Sequence, residues 1–250
     1  MIYLKSWKLA WSLAKFELTA SPLYLLSLCL FNPLLIFLVV FLVISPVFND
    51  YLQNNDVGFD FIFLILFLLA PAWHRPKRFL MQSVSQNSDL WAAPSLVLQL
   101  QLPITKNTLI KSRLLIYFFL SFPAQCLLLL AMYLVTPQLQ TMVTPIEYIV
   151  FCIIWLSIGV YAGYIMPAGD VGDEINVKSV TIAFLQLNVG TIAILTFFHL
   201  VIGYGLVHST ILIAKKYAIL SVVGSLALLI AGLYFWSSYM RNRLYKTDYF

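Results

Sequence analysis

The sequence predicts an all-α membrane protein with six transmembrane helices, and three observations lead to that prediction. Of its 250 residues, 62% are hydrophobic and only 10% are charged, whereas a soluble domain carries about 25% charged residues. Several apolar runs approach the roughly 20 residues that one helical crossing of a bilayer requires. Lys and Arg are concentrated in alternate intervals between those runs, as the positive-inside rule requires. We expect a single transmembrane domain, residues 1–250, without a separate catalytic module of about 100 residues.

Residues 1–20 have the pattern of an amphipathic helix that lies along the membrane surface. A polar stripe recurs at spacings of three and four, and its members are Lys5, Lys8, Ser12, Lys15 and Thr19. Trp7 and Trp11 flank this stripe, and lysines beside tryptophans suit the headgroup region of a bilayer. Ser6 and Glu17 fall on the opposite side, which favours a helix wedged between lipid and protein. The alternative is that this segment extends the first span.

Six apolar runs follow the N-terminal helix. The predicted spans are residues 23–44, 59–73, 114–135, 146–166, 180–202 and 217–239. Asn32-Pro33 interrupts the first span, and because proline removes a backbone donor we expect a kink there. The second span is short for a full crossing and is expected to borrow flanking residues. Gly203 and Gly205 follow the fifth span, so residues 204–215 are expected to form a short outer helix or a re-entrant segment.

The distribution of positive charge predicts the orientation. If both termini lie in the cytoplasm, thirteen of the 15 Lys and Arg residues are on the inner side, and only Lys215 and Lys216 are outside. The inverted topology would place thirteen basic residues outside, against the positive-inside rule. The sequence therefore predicts a multi-pass protein of a bacterial cytoplasmic membrane with both termini cytoplasmic.

The longest polar interval, residues 74–113, is predicted to be a cytoplasmic loop that docks onto a partner. It opens with the basic cluster His74-Arg75-Pro76-Lys77-Arg78. Near its end, Leu98, Leu100 and Leu102 alternate with glutamines, which leaves apolar side chains available to a partner surface. Thr105 is expected to cap a helix that begins at Lys106 and runs into the third span. The alternative is an ordinary basic loop that only maintains the topology.

Motifs for catalysis in this chain itself are missing from the sequence. No Gly-Lys pair occurs, so a phosphate-binding loop for ATP hydrolysis is excluded. The three histidines do not form the His-Glu-x-x-His pattern of a metalloprotease, and Cys29, Cys126 and Cys152 are too scattered for a metal site. We expect no metal, no cofactor in this chain and no nucleic-acid partner, since basic loops explain the net charge of +5.

Polar residues within the spans are the candidates for lining a transport pathway. They are Asn32, Gln125, Gln186 and Asn188, which either form hydrogen bonds between helices or line a route for an amphipathic cargo. Ionisable residues are costly inside lipid and often functional. Glu147, at the outer edge of the fourth span, is interpreted as interfacial, and His199 as a neutral packing residue.

The run Leu102-Pro103-Ile104-Thr105-Lys106-Asn107-Thr108-Leu109-Ile110-Lys111-Ser112-Arg113 resembles a feature of ABC-2-type transporter permeases. In that family a turn of Leu, Pro, an aliphatic residue, Ser or Thr and a basic residue precedes the third helix. The layout is also similar, with a basic amphipathic N-terminus, six spans, a long first cytoplasmic loop and an outer segment between spans five and six.

The resemblance implies the membrane subunit of an exporter whose ATP-binding-cassette ATPase is a separate chain that binds ATP and Mg. It implies that two permease copies, identical or related, form the pathway. A coupling helix in the first cytoplasmic loop would sit in a groove of the ATPase. The coupling residues it implies are Leu98, Leu100, Leu102, Pro103, Ile104, Thr105, Lys106 and Asn107. The expected cargo is amphipathic or hydrophobic: a peptide, an antibiotic or a lipid.

Two other functions remain open from the sequence. One is a non-transporting membrane subunit, for assembly or sensing, that binds a partner through the same loop. The other is a secondary carrier driven by an ion gradient, although no series of Asp or Glu crosses the spans and no internal repeat is evident.

Overall fold

The computed structural model describes residues 2–20, 32–54, 56–69, 82–83, 90–171, 173–174 and 177–247. These residues form a bundle of helices with one small sheet at one end. The helices are α1 Ile2–Thr19, α2 Asn32–Asn54, α3 Val57–Leu64, α4 Pro94–Leu100, α5 Lys106–Val135, α6 Pro137–Met142, α7 Pro145–Gly163, α8 Ile165–Asp170, α9 Val177–Phe197, α10 Leu206–Lys216 and α11 Ala218–Lys246. The strands are β1 Gln82–Ser83, β2 Leu90–Ala92 and β3 Asp173–Glu174.

The prediction of a helical membrane protein is confirmed. Four helices are long and apolar enough to cross a bilayer: Asn32–Asn54, Lys106–Val135, Pro145–Asp170 and Ala218–Lys246. A fifth candidate is the pair Asn188–Ile202 and Leu206–Lys216, which is bent by 60° at the intervening break. Val57–Leu68 is apolar but shorter. The bend agrees with the expected interruption near Gly203, which has a φ of +80° and so adopts a conformation that favours glycine.

The described residues contain three π-helical turns that the sequence does not reveal: Val40–Ile44, Ile65–Leu69 and Phe198–Ile202. In α2 the turn is Val40–Ile44, and it directly precedes Ser45-Pro46. Because proline cannot donate to the carbonyl four residues earlier, the wider turn accommodates Pro46 within a continuing helix. The helix therefore extends to Asn54. Residues 45–58, which lie between the first two predicted spans and were expected to form a polar loop, are mostly helical instead.

The other predicted loops also contain structure. Residues 136–145 include α6, and residues 167–178 include most of α8 and the strand β3. The expected kink before Pro33 and the basic cluster at 74–78 lie outside the described residues. So does the end of the second span, after residue 69.

The small sheet was not predicted. Strand β2 pairs antiparallel with β1 and also with β3. Beyond the sheet, the Ala93 amide donates to the carbonyl of Asp170 at 3.1 Å. These bonds attach the central polar interval to the connection between α8 and α9.

Two large apolar clusters hold the bundle together, and a small third one of Ala14, Ile116 and Leu120 joins α1 to α5. The larger includes the aromatic side chains of Phe48, Tyr51, Phe63, Phe67 and Trp155, and it joins α2, α3 and the first half of α7. The second includes Leu96, Leu109, Tyr164 and Leu244 and joins α4, α5, α8 and α11. The two large clusters lie towards opposite ends of α5, and each supports one candidate site.

Candidate functional site

Helix α4 presents part of the predicted docking surface. It begins with Pro94 at its first position, where the missing N–H costs nothing. Leu98 is 65% exposed and Leu102 is 49% exposed, whereas Leu96 is fully buried. Leu100 is half-buried and packs against the second cluster. All three leucines were expected to be exposed, but only Leu98 and Leu102 are. These two residues are four apart, which is the spacing of one face of a helix.

The turn after α4 fixes how the chain enters α5. Thr105 has an extended backbone and its hydroxyl accepts a hydrogen bond from the Thr108 amide at 3.4 Å, so the predicted cap is confirmed. The Ile104 amide donates to the Leu102 carbonyl at 2.7 Å. Pro103 and Asn107 are exposed, and Ile104 is half-buried. Together with the exposed leucines they form one continuous surface, which we call the α4 surface (residues 98–107).

A buried polar group lies directly behind this surface. Arg113, 1% exposed, donates from Nη2 to Glu17 Oε1 at 3.0 Å and from Nη1 to Glu17 Oε2 at 3.2 Å. Its Nη2 also donates to Gln99 Oε1 at 3.2 Å, and Gln99 Nε2 donates to Glu17. This Arg113 network (Glu17, Gln99 and Arg113) joins α1, α4 and α5. Since Gln99 lies next to the exposed Leu98, the network connects the exposed side of α4 to α1 and α5.

The position of Glu17 confirms an expectation about α1. Glu17 and Ser6 lie opposite the lysine stripe, a pattern interpreted from the sequence as a helix wedged between lipid and protein. Glu17 is buried against Arg113, and Ser6 Oγ accepts a hydrogen bond from Lys111 Nζ at 2.9 Å. The Lys111 ammonium also lies 4.7 Å from the ring centroid of Trp7. Helix α1 is therefore held along α5 by its polar as well as its apolar side chains.

Lys106 makes a contact that the sequence did not reveal. Its ammonium donates to the carbonyl of Leu244 at 2.6 Å and lies 4.2 Å from the Tyr245 ring centroid. The last carbonyls of a helix have no partner within it, so Lys106 caps the end of α11. The positive charge expected to face a partner is thus already engaged within the chain.

A second buried polar group lies at the other end of the bundle. Asp60, in α3, is fully buried. Its Oδ2 accepts from the Leu206 amide at 2.6 Å and its Oδ1 from the Val207 amide at 2.9 Å. Tyr51 Oη donates to Oδ1 at 2.8 Å, and His199 Nε2 lies 2.9 Å from Oδ2. The carboxylate therefore caps α10, where free amides and the helix dipole favour a negative charge.

Tyr51, His199 and Gly205 complete what we call the Asp60 site. Tyr51 Oη accepts a hydrogen bond from the His208 amide at 2.8 Å, so it bridges α2 and α10. A Cβ at Gly205 would lie 2.7 Å from Asp60 Oδ2, so glycine permits the close approach of the backbone. His199, interpreted from the sequence as a neutral packing residue, pairs here with a carboxylate.

Asp60 was not singled out from the sequence. The run Val57-Gly58-Phe59-Asp60-Phe61 reads as the hydrated edge of a span. Its partners are between nine and 147 residues away in the chain. Two features of the sequence could have indicated the site. Asp60 is followed by a purely apolar run, and Gly203 and Gly205 precede the helix that begins at Leu206.

The four predicted pathway residues do not come together. Gln125 is 1% exposed, and its Nε2 donates to the Phe67 carbonyl at 3.3 Å, within the π turn Ile65–Leu69. It therefore joins the second and third spans. Asn32 is buried beside α1 and α5. Gln186 is exposed on α9 and Asn188 is half-buried there.

In the described part of the chain, no group of three or more His, Cys, Asp or Glu side chains is arranged to hold a metal ion. A comparison with protein-family models found no match, and searches among curated proteins and among solved structures found none either.

Proposed function

We propose that this chain is the permease subunit of an ATP-driven exporter in a bacterial cytoplasmic membrane. Its ATPase partner would be a separate subunit that binds ATP and Mg, and a second permease copy would complete the pathway. The cargo would be amphipathic or hydrophobic: a peptide, an antibiotic or a lipid. The observation that carries the proposal is the Arg113 network behind the exposed Leu98 and Leu102 of the α4 surface.

The network suits the transmission of force. A partner that binds Leu98 and Leu102 pushes on a helix whose next residue, Gln99, is bonded to both Glu17 and Arg113. Helix α5 runs without interruption from Lys106 to Val135. Because each side chain of the network is more than nine-tenths buried, movement of α4 would move α1 and α5 with it. A flexible surface loop would not transmit the same movement to α1 and α5.

The six-span arrangement is part of this proposal. The spans would be α2, α3 with its unplaced extension, α5, α7, α9 and α11, with α10 as a re-entrant segment on the outer side. The Asp60 site would then hold α10 in place at the outer mouth of the pathway. A change in the distance between α3 and α9 would act directly on the start of α10, since Asp60 and His199 meet there.

The first experiment tests docking. A photo-crosslinking amino acid at Leu98 should capture a protein that hydrolyses ATP, and Leu98→Arg should weaken its association about thirtyfold, as for an interface hot spot worth ~2 kcal/mol. Asn242→Arg adds the same charge at an exposed polar position outside the α4 surface and should have little effect. Equal weakening by both variants, or a captured protein without ATPase activity, would count against the proposal.

The second experiment tests transport. Vesicles that contain the chain and its ATPase should move a labelled amphipathic peptide or lipid only when ATP is hydrolysed. ATPase binding without any movement of cargo would favour a non-transporting assembly or sensory subunit instead.

One observation favours an ion-coupled carrier as the second candidate. Asp60 and His199 form a buried ionisable pair, and such pairs can carry protons in transporters. All four contacts of the carboxylate are nonetheless used to hold α10 and its neighbours. Cargo movement that stops when the ion gradient is collapsed, and continues without ATP, would identify the carrier.

A further inference from the structure

A cavity of about 510 Å³ lies between α1, the described start of α2 and α5. Its walls are formed mostly by apolar side chains, among them Trp11, Phe119, Ala124 and Leu127. Pockets that bind small molecules commonly measure about 300–1,000 Å³. The stretch from Phe119 to Leu127 extends about 12 Å along α5, at roughly 1.5 Å per residue. The space is therefore long enough for a substantial part of an acyl chain.

The charge at this cavity has one sign. Among the described residues that line it, Lys15 is charged and no carboxylate is present. The nearest acidic residue along α1, Glu17, is bonded to Arg113 and Gln99. Lys15 is exposed, and its ammonium has no partner among the residues that the structure describes. An anion at the rim of the cavity would meet an unneutralised cation.

A second polar residue opens into the same space. Asn32 is only 7% exposed and lines the cavity. A side-chain amide carries two N–H donors, so Asn32 can donate to an acceptor on a ligand in the cavity. Ester and phosphate oxygens of a lipid are such acceptors.

We propose that this cavity is a binding site for an anionic glycerophospholipid of the surrounding bilayer. The acyl chain occupies the apolar groove between α1 and α5. The phosphate pairs with Lys15, and Asn32 donates to an oxygen of the glycerol ester region. A membrane lipid fits better than a soluble ligand because α1 combines an apolar face on α5 with exposed Trp7, Trp11 and Phe16. The proposal does not depend on transport.

Native mass spectrometry of the purified full chain can test the site. The probes are phosphatidylglycerol and phosphatidylcholine with identical acyl chains, each added to the detergent solution. The wild type should retain phosphatidylglycerol in preference to phosphatidylcholine. Lys15→Gln should reduce retention of phosphatidylglycerol about fivefold, the effect of one basic residue near an anionic membrane surface. Ala124→Leu should reduce retention of both lipids, because the larger side chain occupies the groove.

Lys8→Gln is the matched control. Lys8 lies on α1 and is exposed, but it does not line the cavity. Its replacement should leave retention unchanged. Equal losses for Lys8→Gln and Lys15→Gln would indicate diffuse attraction to the surface and would overturn the proposal. If Ala124→Leu causes the loss of a second copy of the chain instead of the loss of lipid, the groove is a contact between subunits. That result would also overturn the proposal.

Discussion

The carboxylate of Asp60 lies 2.9 Å from Nε2 of His199, although 139 residues separate the two in the chain. His199 lies just before the bend between Asn188–Ile202 and α10, and Asp60 in α3 packs against that bend. The same carboxylate caps the first amides of α10. One buried side chain thus contacts residues of α2, the π-helical turn after α9 and the start of α10, and it holds them against α3. The consequences of changing it are specific enough to measure.

Asp60→Asn should destabilise the protein by about 1–3 kcal/mol, the cost of leaving a buried backbone donor without its acceptor. Each carboxylate oxygen accepts one bond from a backbone amide, Leu206 on Oδ2 and Val207 on Oδ1. An asparagine NH₂ would face one of these amides in either orientation, and a backbone N–H cannot reverse its role. Reversible unfolding in mixed micelles measures the loss.

Asp56→Asn is the control for that substitution. Asp56 caps α3 by accepting from the Gly58 amide at 2.9 Å, and it is exposed. Asparagine caps helices about as well as aspartate, so this variant should unfold like the wild type. If Asp60→Asn behaved in the same way, the carboxylate would not be holding α10.

Gly205→Ala should disturb the same site through space alone. The added methyl group would meet Tyr51 Oη and lie 2.7 Å from Asp60 Oδ2. We expect a loss of about 1–3 kcal/mol, as for overpacking of a filled core, and faster proteolysis after Lys215 or Lys216. Gly224→Ala has no heavy atom within 4 Å of its new Cβ and should cause no loss. Equal stability of the two variants would contradict the tight packing described for Gly205.

The sequence revealed the features that depend on local pattern. The spans follow from runs of apolar residues, the cap at Thr105 follows from its place before a helix, and the protein-facing side of α1 follows from helical spacing. The position of Glu17 and Ser6 opposite the lysines favoured a helix packed between lipid and protein, and both residues contact α5.

The identity of each buried partner could not be predicted in the same way. Arg113 is 96 residues from Glu17, and Val207 is 147 residues from Asp60. These pairs form only when helices distant in sequence pack together, and no pattern in either local segment specifies the other. The alternation of Leu98, Leu100 and Leu102 was misleading because a period of two was applied to a segment that forms a helix. The short strands β1 to β3 are likewise set by pairing between distant segments.

The Arg113 network leads to a prediction about paired substitutions. Glu17→Met alone leaves Arg113 as a buried cation, and Arg113→Met alone leaves Glu17 as a buried anion; each should cost about 3–5 kcal/mol. The double variant removes both charges from a site that is 1% and 6% exposed at the two side chains. It should be more stable than either single variant by about 1–2 kcal/mol, since apolar replacements of buried pairs are well tolerated.

Unfolding of the four proteins in the same micelles gives the coupling energy of this cycle. Additive effects would mean that the pair is solvated in the membrane and does not act as a unit. The double variant also separates an effect on stability from an effect on ATP-driven transport. If the proposed function is correct, it should remain folded and bind the ATPase, yet transport more slowly, because Gln99 has lost both of its charged partners.

Lys106→Met tests whether the start of α5 stabilises the end of α11. The Lys106 ammonium caps the Leu244 carbonyl at 2.6 Å, and a cation at a helix C-terminus contributes about 0.3–2 kcal/mol. Its removal should speed hydrogen exchange of the amides in residues 240–246 by up to about thirtyfold. Lys246→Met removes the same charge from the last turn of α11, where the side chain is exposed, and should change exchange less than Lys106→Met. Equal effects of the two variants would mean that charge near the helix end matters and the contact between α5 and α11 does not.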